Sequence, residues 1–231
     1  MKSLKPIFTA SLLALCAAPA LAGGAGDPQY GSWNNGPSQG GSQILNSQIN
    51  LQTNWSNLNV SVDTVGGNAV TQGAAGGNLI DITTMNNTRV DNNQIVGHDA
   101  AIGSNINMDV NKVWGSVGIQ SQALCNGASV STDPILTSVQ SNQECHATDP
   151  YSRVNANIAN VAGDAVVQSS ALGNSFEADS NAPNMPIMTR QLNNSANVSN
   201  VNGTVFNVGG DVGFSSSAIG NTSQIIHYNT H

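Results

Sequence analysis

VGGNAVTQGAAGGN at residues 65–78 decides the fold, because it returns as VWGSVGIQSQALCN at 113–126, VAGDAVVQSSALGN at 161–174 and VGGDVGFSSSAIGN at 208–221. The four copies align without a gap, and their starts lie 48, 48 and 47 residues apart. Self-similarity at a fixed period marks stacked units, each too small to bury its own apolar face. The expected fold is all-β: a β-solenoid of four repeats of about 48 residues.

The columns assign roles. Gly67, Gly115, Gly163 and Gly210 each precede a short turn-former, Asn68, Ser116, Asp164 or Asp211. That is corner chemistry, with glycine supplying positive φ and the polar side chain bonding its own backbone. Upstream, Leu58/Val60/Val62, Ile106/Met108/Val110, Val154/Ala156/Ile158 and Val201/Gly203/Val205 alternate with polar residues, the period of two of a strand. Downstream, Ala69/Thr71, Val117/Ile119, Ala165/Val167 and Val212/Phe214 repeat that spacing, with Gln72, Gln120 and Gln168 on the opposite parity and Ser215 in the fourth copy. Each unit closes on Asn78, Asn126, Asn174 or Asn221, three of them after glycine, which suggests a second corner. Equivalent glutamines and asparagines could form ladders along the axis; parity equally allows the glutamines to face solvent.

A weaker motif falls between the strong ones: ILNSQ at 44–48, VDNNQ at 90–94, VQSNQ at 139–143 and QLNNS at 191–195. It suggests two coils per repeat, hence eight coils of roughly 24 residues and a rod on the order of 38 Å at ~4.8 Å per coil. The competing architecture is a sandwich of four hairpins, since Gly-Asn also suits a hairpin turn.

Residues 1–22 carry Lys2 and Lys5, an apolar run and Ala20-Leu21-Ala22, the layout of a signal peptide cleaved after Ala22. Cys16 raises the alternative of a lipoprotein, disfavoured by the bulky Leu15 before it. Residues 23–42 are dense in Gly, Pro and Asn without periodicity and read as a flexible leader, leaving 43–231 as one repeat domain. Loops are expected near 131–153, with two Asp-Pro pairs, and near 179–190, with Pro183 and Pro186. Beyond the signal, Cys125 and Cys145 are the remaining cysteines. Export favours a disulfide between them, and two free thiols are the competing reading.

Composition excludes several classes. Asn and Gln together number 46 of 231 residues, while charged residues are 8% and aromatics 4%. Such a chain builds a thin core of small side chains with amide ladders more readily than a thick one of Leu and Phe. Beyond the signal, four basic residues face 13 acidic ones, a net charge of −9, which speaks against nucleic acid or an anionic membrane as partner. His98, His146, His227 and His231 share no metal-ligand spacing, and the dispersed aspartates pair nowhere in sequence. The expectation is no enzyme, no cofactor and no metal, with calcium on a turn as the competing role for the aspartates.

Pro28-Gln29-Tyr30-Gly31 and Asn34-Asn35-Gly36-Pro37 resemble the Gly/Asn-rich start of mature curlins, the subunits of curli fibres. In that family the segment addresses an outer-membrane export pore, and repeat Gln and Asn form internal ladders. The Gln72-to-Asn78 spacing is one longer than in curlin and the period about twice as long. The alphaproteobacterial holdfast-anchor proteins, which include curlin-like secreted members, are a similar relative. The resemblance implies an exported cell-surface structural or adhesive protein, joining a fibre, biofilm matrix or holdfast anchor. Self-assembly or other adhesion subunits would be its partners, with an extracellular polysaccharide beside them. The alternative is a monomeric module whose coil faces hold glycan or matrix polymer, Asn/Gln rows offering donors and acceptors to sugar hydroxyls.

Overall fold

The computed structural model describes residues 42–85, 87–132, 137–181 and 185–227. The signal peptide and the leader positions Pro28, Gln29, Tyr30 and Gly31 lie outside them. Twelve strands make four turns of three. The first turn is β1 (Ser42–Asn50), β2 (Asn54–Val65) and β3 (Ala69–Thr84); the second is β4 (Thr88–Val96), β5 (Ala101–Val113) and β6 (Val117–Thr132). The third is β7 (Thr137–Cys145), β8 (Thr148–Val161) and β9 (Ala165–Ser180); the fourth is β10 (Ile187–Asn193), β11 (Val198–Val208) and β12 (Val212–His227). Equivalent strands pair in parallel into three sheets, β1-β4-β7-β10, β2-β5-β8-β11 and β3-β6-β9-β12. Val65, Val113, Val161 and Val208 stand in one row, each opposite the next. This is a β-solenoid; a sandwich of hairpins would need antiparallel neighbours.

The expectation of two coils per repeat is overturned. Val65 pairs directly with Val113, so a whole 48-residue repeat is one turn. The weaker motif is the third sheet of each turn: Ile44 pairs with Val90 and Val90 with Val139. In the fourth turn its first position is Ile187, and Gln191 falls in the glutamine column. Four strands at ~4.8 Å give a stack only ~14 Å deep, in place of a 38 Å rod.

The first corner works differently from its sequence reading. No glycine among the described residues has positive φ; of the five positive-φ residues, Thr64, Lys112, Asn160 and Asn207 stand one residue before the valine row, and Asp149 lies at the start of β8. The glycines serve close approach instead. Gly115 N–H bonds Gly67 O at 3.1 Å, Gly163 N–H bonds Gly115 O at 3.0 Å and Gly210 N–H bonds Gly163 O at 3.1 Å. A Cβ on Gly163 would lie 2.6 Å from Ser116 Oγ. The turn-formers also reach across turns: Asn68 Oδ1 accepts from Ser116 N–H at 2.8 Å, and Asp164 Oδ1 from Asp211 N–H at 2.9 Å. The second corner is a bend inside the long strands. In β9, Ala165, Val167, Ser169 and Ala171 are buried on one parity, then Asn174, Phe176 and Ala178 on the other.

The loop expected at 131–153 is also overturned. Residues 133–136 lie outside the described residues, but β7 and the start of β8 fill most of the interval, because Val139, Ser141, Gln143 and Cys145 alternate inward. The one at 179–190 shrinks to the connection between Ser180 and Ile187, within which 182–184 are not described. Both halves of a long strand face a partner sheet. One half packs on the β2-β5-β8-β11 sheet around Ile106, Val117, Ile119, Val154 and Ile158. The other half packs on the β1-β4-β7-β10 sheet around Val90, Val130, Val139 and Phe176. Between the two lies a small cluster with Val96, Ile102, Cys125 and Cys145. A core this thin leaves little area for hydrophobic burial, so polar columns must be satisfied inside it.

Candidate functional site

The interior carries three polar columns. The first is Gln48, Gln94, Gln143 and Gln191, on the short-strand sheet. Gln94 Nε2 donates to Gln48 Oε1, Gln143 Nε2 to Gln94 Oε1 and Gln191 Nε2 to Gln143 Oε1, each at 2.9 Å. The same nitrogens reach backbone carbonyls of the facing strand, Gly127 O at 3.0 Å, Ser175 O at 2.9 Å and Thr222 O at 2.9 Å. Gln94 and Gln143 are 0% exposed with both amide hydrogens used. Sequence reasoning quoted all four of these residues in the weaker motif, Gln191 out of register at its first position, but assigned the ladder to other glutamines.

The second column is Asn78, Asn126, Asn174 and Asn221 at the bend. Asn78 Nδ2 donates to Asn126 Oδ1 at 2.9 Å, Asn126 to Asn174 at 2.8 Å and Asn174 to Asn221 at 2.8 Å. Each of the first three also donates to a carbonyl of the short-strand sheet, Ile95 O, Glu144 O and Leu192 O. The third column is a zigzag of serines that sequence reasoning missed. Ser121 Oγ bonds Ser104 Oγ at 2.8 Å, Ser152 bonds Ser121 at 3.0 Å and Ser169 bonds Ser152 at 2.8 Å, all buried. Its signal was present, since Ser104 and Ser152 sit 48 apart on the inward parity.

Gln72, Gln120 and Gln168 are brought into one row but face outward. Gln72 Nε2 reaches Gln120 Oε1 at 3.3 Å in an exposed setting. Cys125 and Cys145 form a disulfide with Cα atoms 5.9 Å apart, both 0% exposed, tying β6 to β7. His98 and His146, far apart in sequence, sit one turn apart with ring centroids at 4.8 Å. Among the described residues no three His, Cys, Asp or Glu side chains come together as metal ligands. Beside His146, Glu144 accepts from Arg190 Nη1 at 2.6 Å. Burial alone would raise the Glu144 carboxyl, but bonds from Arg190, His146 and Asn142 outweigh it and hold the pKa below the usual glutamate value.

The outer face of the β2-β5-β8-β11 sheet is paved with amides in register. Asn107 Nδ2 donates to Asn59 Oδ1 at 2.7 Å, Asn155 to Asn107 at 2.6 Å and Asn202 to Asn155 at 3.1 Å. At one end of the same face Trp55 and Tyr151 lie nearly parallel, 14° apart with centroids at 6.2 Å.

Among the described residues nothing covers either end of the stack. Val212, Phe214 and Ile225, in columns that point inward, are 45%, 45% and 53% exposed, while their partners one turn below, Ala165, Val167 and Ala178, are 0% exposed. The ladders end with opposite needs. Gln48 spends one amide hydrogen on Leu79 O and keeps another, whereas Gln191 spends both and has an oxygen with no donor among the described residues.

Residues 37–231 match the family model for holdfast attachment protein D. No curated protein and no solved structure matches the chain. The matched span begins after Pro28-Gln29-Tyr30-Gly31, so the curlin resemblance of the leader stands outside it.

Proposed function

The chain belongs to the holdfast attachment protein D family, and from that membership we propose that it is an adhesive subunit whose turns stack end to end, the fourth turn of one copy docking on the first turn of the next. Membership places it in association with the cell surface. In this reading the signal cleaved after Ala22 and the leader at 23–42 route it there through an outer-membrane pore, and other adhesion subunits join or cap the stack.

The observation that carries the stacking is the complementarity of the two open ends. Head to tail, the spare Gln48 hydrogen of one copy meets the spare Gln191 oxygen of the other. The asparagine column runs the other way and still fits: Asn78 keeps a free oxygen, and Asn221 keeps a hydrogen beyond its 3.5 Å contact with Gln191 O. Two copies joined first turn to first turn would set donor on donor and acceptor on acceptor. The strand edges add backbone pairing, and no Lys, Arg, Asp or Glu stands in β12 to blunt it. A contact between unlike faces does not close on itself, so it generates a fibre.

The test is seeded growth at micromolar concentration, followed by thioflavin fluorescence and light scattering. Val212→Lys with Ile225→Lys puts charge at the open end, where both side chains already meet water, and should abolish growth while leaving the far-ultraviolet spectrum unchanged. Replacing Gln72, Gln120 and Gln168 together by Ala should leave growth intact. A wild-type chain that never elongates, even when seeded, refutes the stacking.

A further inference from the structure

We propose that the outer face of the β2-β5-β8-β11 sheet is a binding site for a neutral, extended polysaccharide. The proposal does not depend on end-to-end stacking, because this face runs along the side of the stack and stays open whether or not copies join.

An aromatic platform stands at one end of this face. The indole of Trp55 leans across strand β5 over Gly103, where an added Cβ would collide with the ring, and lies nearly parallel to Tyr151 two turns away. Trp55 is 51% exposed in a chain that is 4% aromatic. A half-exposed indole costs burial unless its face is covered by a ligand. The C–H face of a pyranose ring is the natural cover for a flat aromatic, and it leaves the sugar hydroxyls at the rim free for hydrogen bonds.

The amide rows meet those hydroxyls. Asn107 gives one hydrogen to Asn59 and accepts one from Asn155. It keeps a second hydrogen and a lone pair, and Asn155 keeps a second hydrogen while its oxygen accepts from Asn202 and Arg153. The row bonds fix each side chain before any ligand arrives, so little rotamer entropy remains to be lost on binding. From Trp55 to Asp63 the face runs ~26 Å along the strand, and the four strands span ~14 Å across it, room for several sugars. At the far end, an open groove of about 390 Å³ is lined by Asp63, Asn111, Asn157, Thr204 and Phe206 among others.

Charge selects the class of polymer. The outward positions of the four strands carry Asp63, Asp109, Asp149 and Arg153, with Lys112 exposed near the end of β5, and Arg153 Nε donates to Asn155 Oδ1 at 3.0 Å. A polyanion finds no basic track here, whereas a neutral glycan needs none.

The test uses the full exported chain with cellohexaose and with chitohexaose, two flat neutral hexasaccharides, by titration calorimetry. Saturable binding of at least one is expected. Trp55→Ala should weaken it about tenfold or more. Asn107→Ala should weaken it about threefold, the loss of one exposed hydrogen bond. Trp114→Ala, which removes a still more exposed indole at the first corner, should bind as the wild type does. The same variants should still grow in the seeded assay, so failure here and failure of stacking read out separately. No binding of either hexasaccharide by a correctly folded wild-type chain, or equal binding by Trp55→Ala, overturns the proposal.

Discussion

Gln143 and Gln120 invite comparison. Both stand in columns of glutamines, on neighbouring sheets of the same solenoid, and each has a glutamine one turn below. Gln143 is 0% exposed, with two neighbours in its column and a carbonyl of the facing strand as partners. Gln120 looks outward and accepts a single 3.3 Å bond from Gln72. The difference teaches that repetition along an axis does not by itself make a ladder count. A buried amide that lost its partner would keep its desolvation penalty, whereas an exposed one falls back on water.

The sharpest way to break the comparison is to truncate both. Gln143→Ala removes an amide that satisfies Gln94 Oε1, Gln191 Nε2 and Ser175 O, and it opens a cavity in a core with no slack. Its expected cost is about 4 kcal/mol in denaturant unfolding, at about 1–3 kcal/mol for each group left unpaired. Gln120→Ala should lie within about 0.5 kcal/mol of the wild type. Equal losses would mean that burial is irrelevant to these rows.

How much of this was legible in the sequence follows from the same pair. Parity with Thr71, Ile119 and Val167 already turned Gln72, Gln120 and Gln168 away from the apolar face, so their outward direction could be read. The buried column was harder. Its spacing wanders through 46, 49 and 48 residues, and in the fourth turn the apolar partner Ile187 follows a Pro-containing connection that hid the register. A repeat period gives the length of a turn only if the number of strands per turn is known, and closure is a three-dimensional property. The valine row, the asparagine column and the alternating strands were legible because each is set by local period and one-residue-per-turn identity. The glycine corner was misread for a related reason: close approach between turns and positive φ both select glycine, and only geometry separates them.

A second measurement sharpens the comparison by asking what else holds the buried column in place. Cys145 is two residues beyond Gln143 on the same inward face and is bonded to Cys125 across the connection between the second and third turns. Closing a loop of separation 20 should contribute about 3 kcal/mol by the chain-entropy argument. Cys125→Ala with Cys145→Ala should therefore lower unfolding stability by about that much. Pairing the double variant with Gln143→Ala should give a loss smaller than the sum, since the two sites share β7. Strict additivity would show that the staple and the amide column act independently.

The smallest expected effect lies one residue from Gln143, on the opposite parity. Glu144 looks outward on β7, where Arg190 reaches it at 2.6 Å and His146 at 3.3 Å. Its carboxyl is held below the ordinary value of 4.5, because the bonds from Arg190, His146 and Asn142 outweigh a burial effect that alone would raise it. A carboxyl lowered by folding binds its proton more weakly in the native state than in the unfolded chain. The stability it contributes is thus fully present above the unfolded value and is lost as pH falls through the lowered native one. Arg190 is 53% exposed, so solvent screens the pair and the contribution stays below about 1 kcal/mol. Melting temperature against pH should show a small wild-type excess over Glu144→Gln at neutral pH that disappears in acid, and added salt should shrink it. Gln143→Ala should lose its stability equally at every pH, because an amide does not titrate. If the Glu144→Gln deficit persisted unchanged into acid, charge would not be what this outward residue contributes, and the contrast between the two faces of β7 would reduce to packing alone.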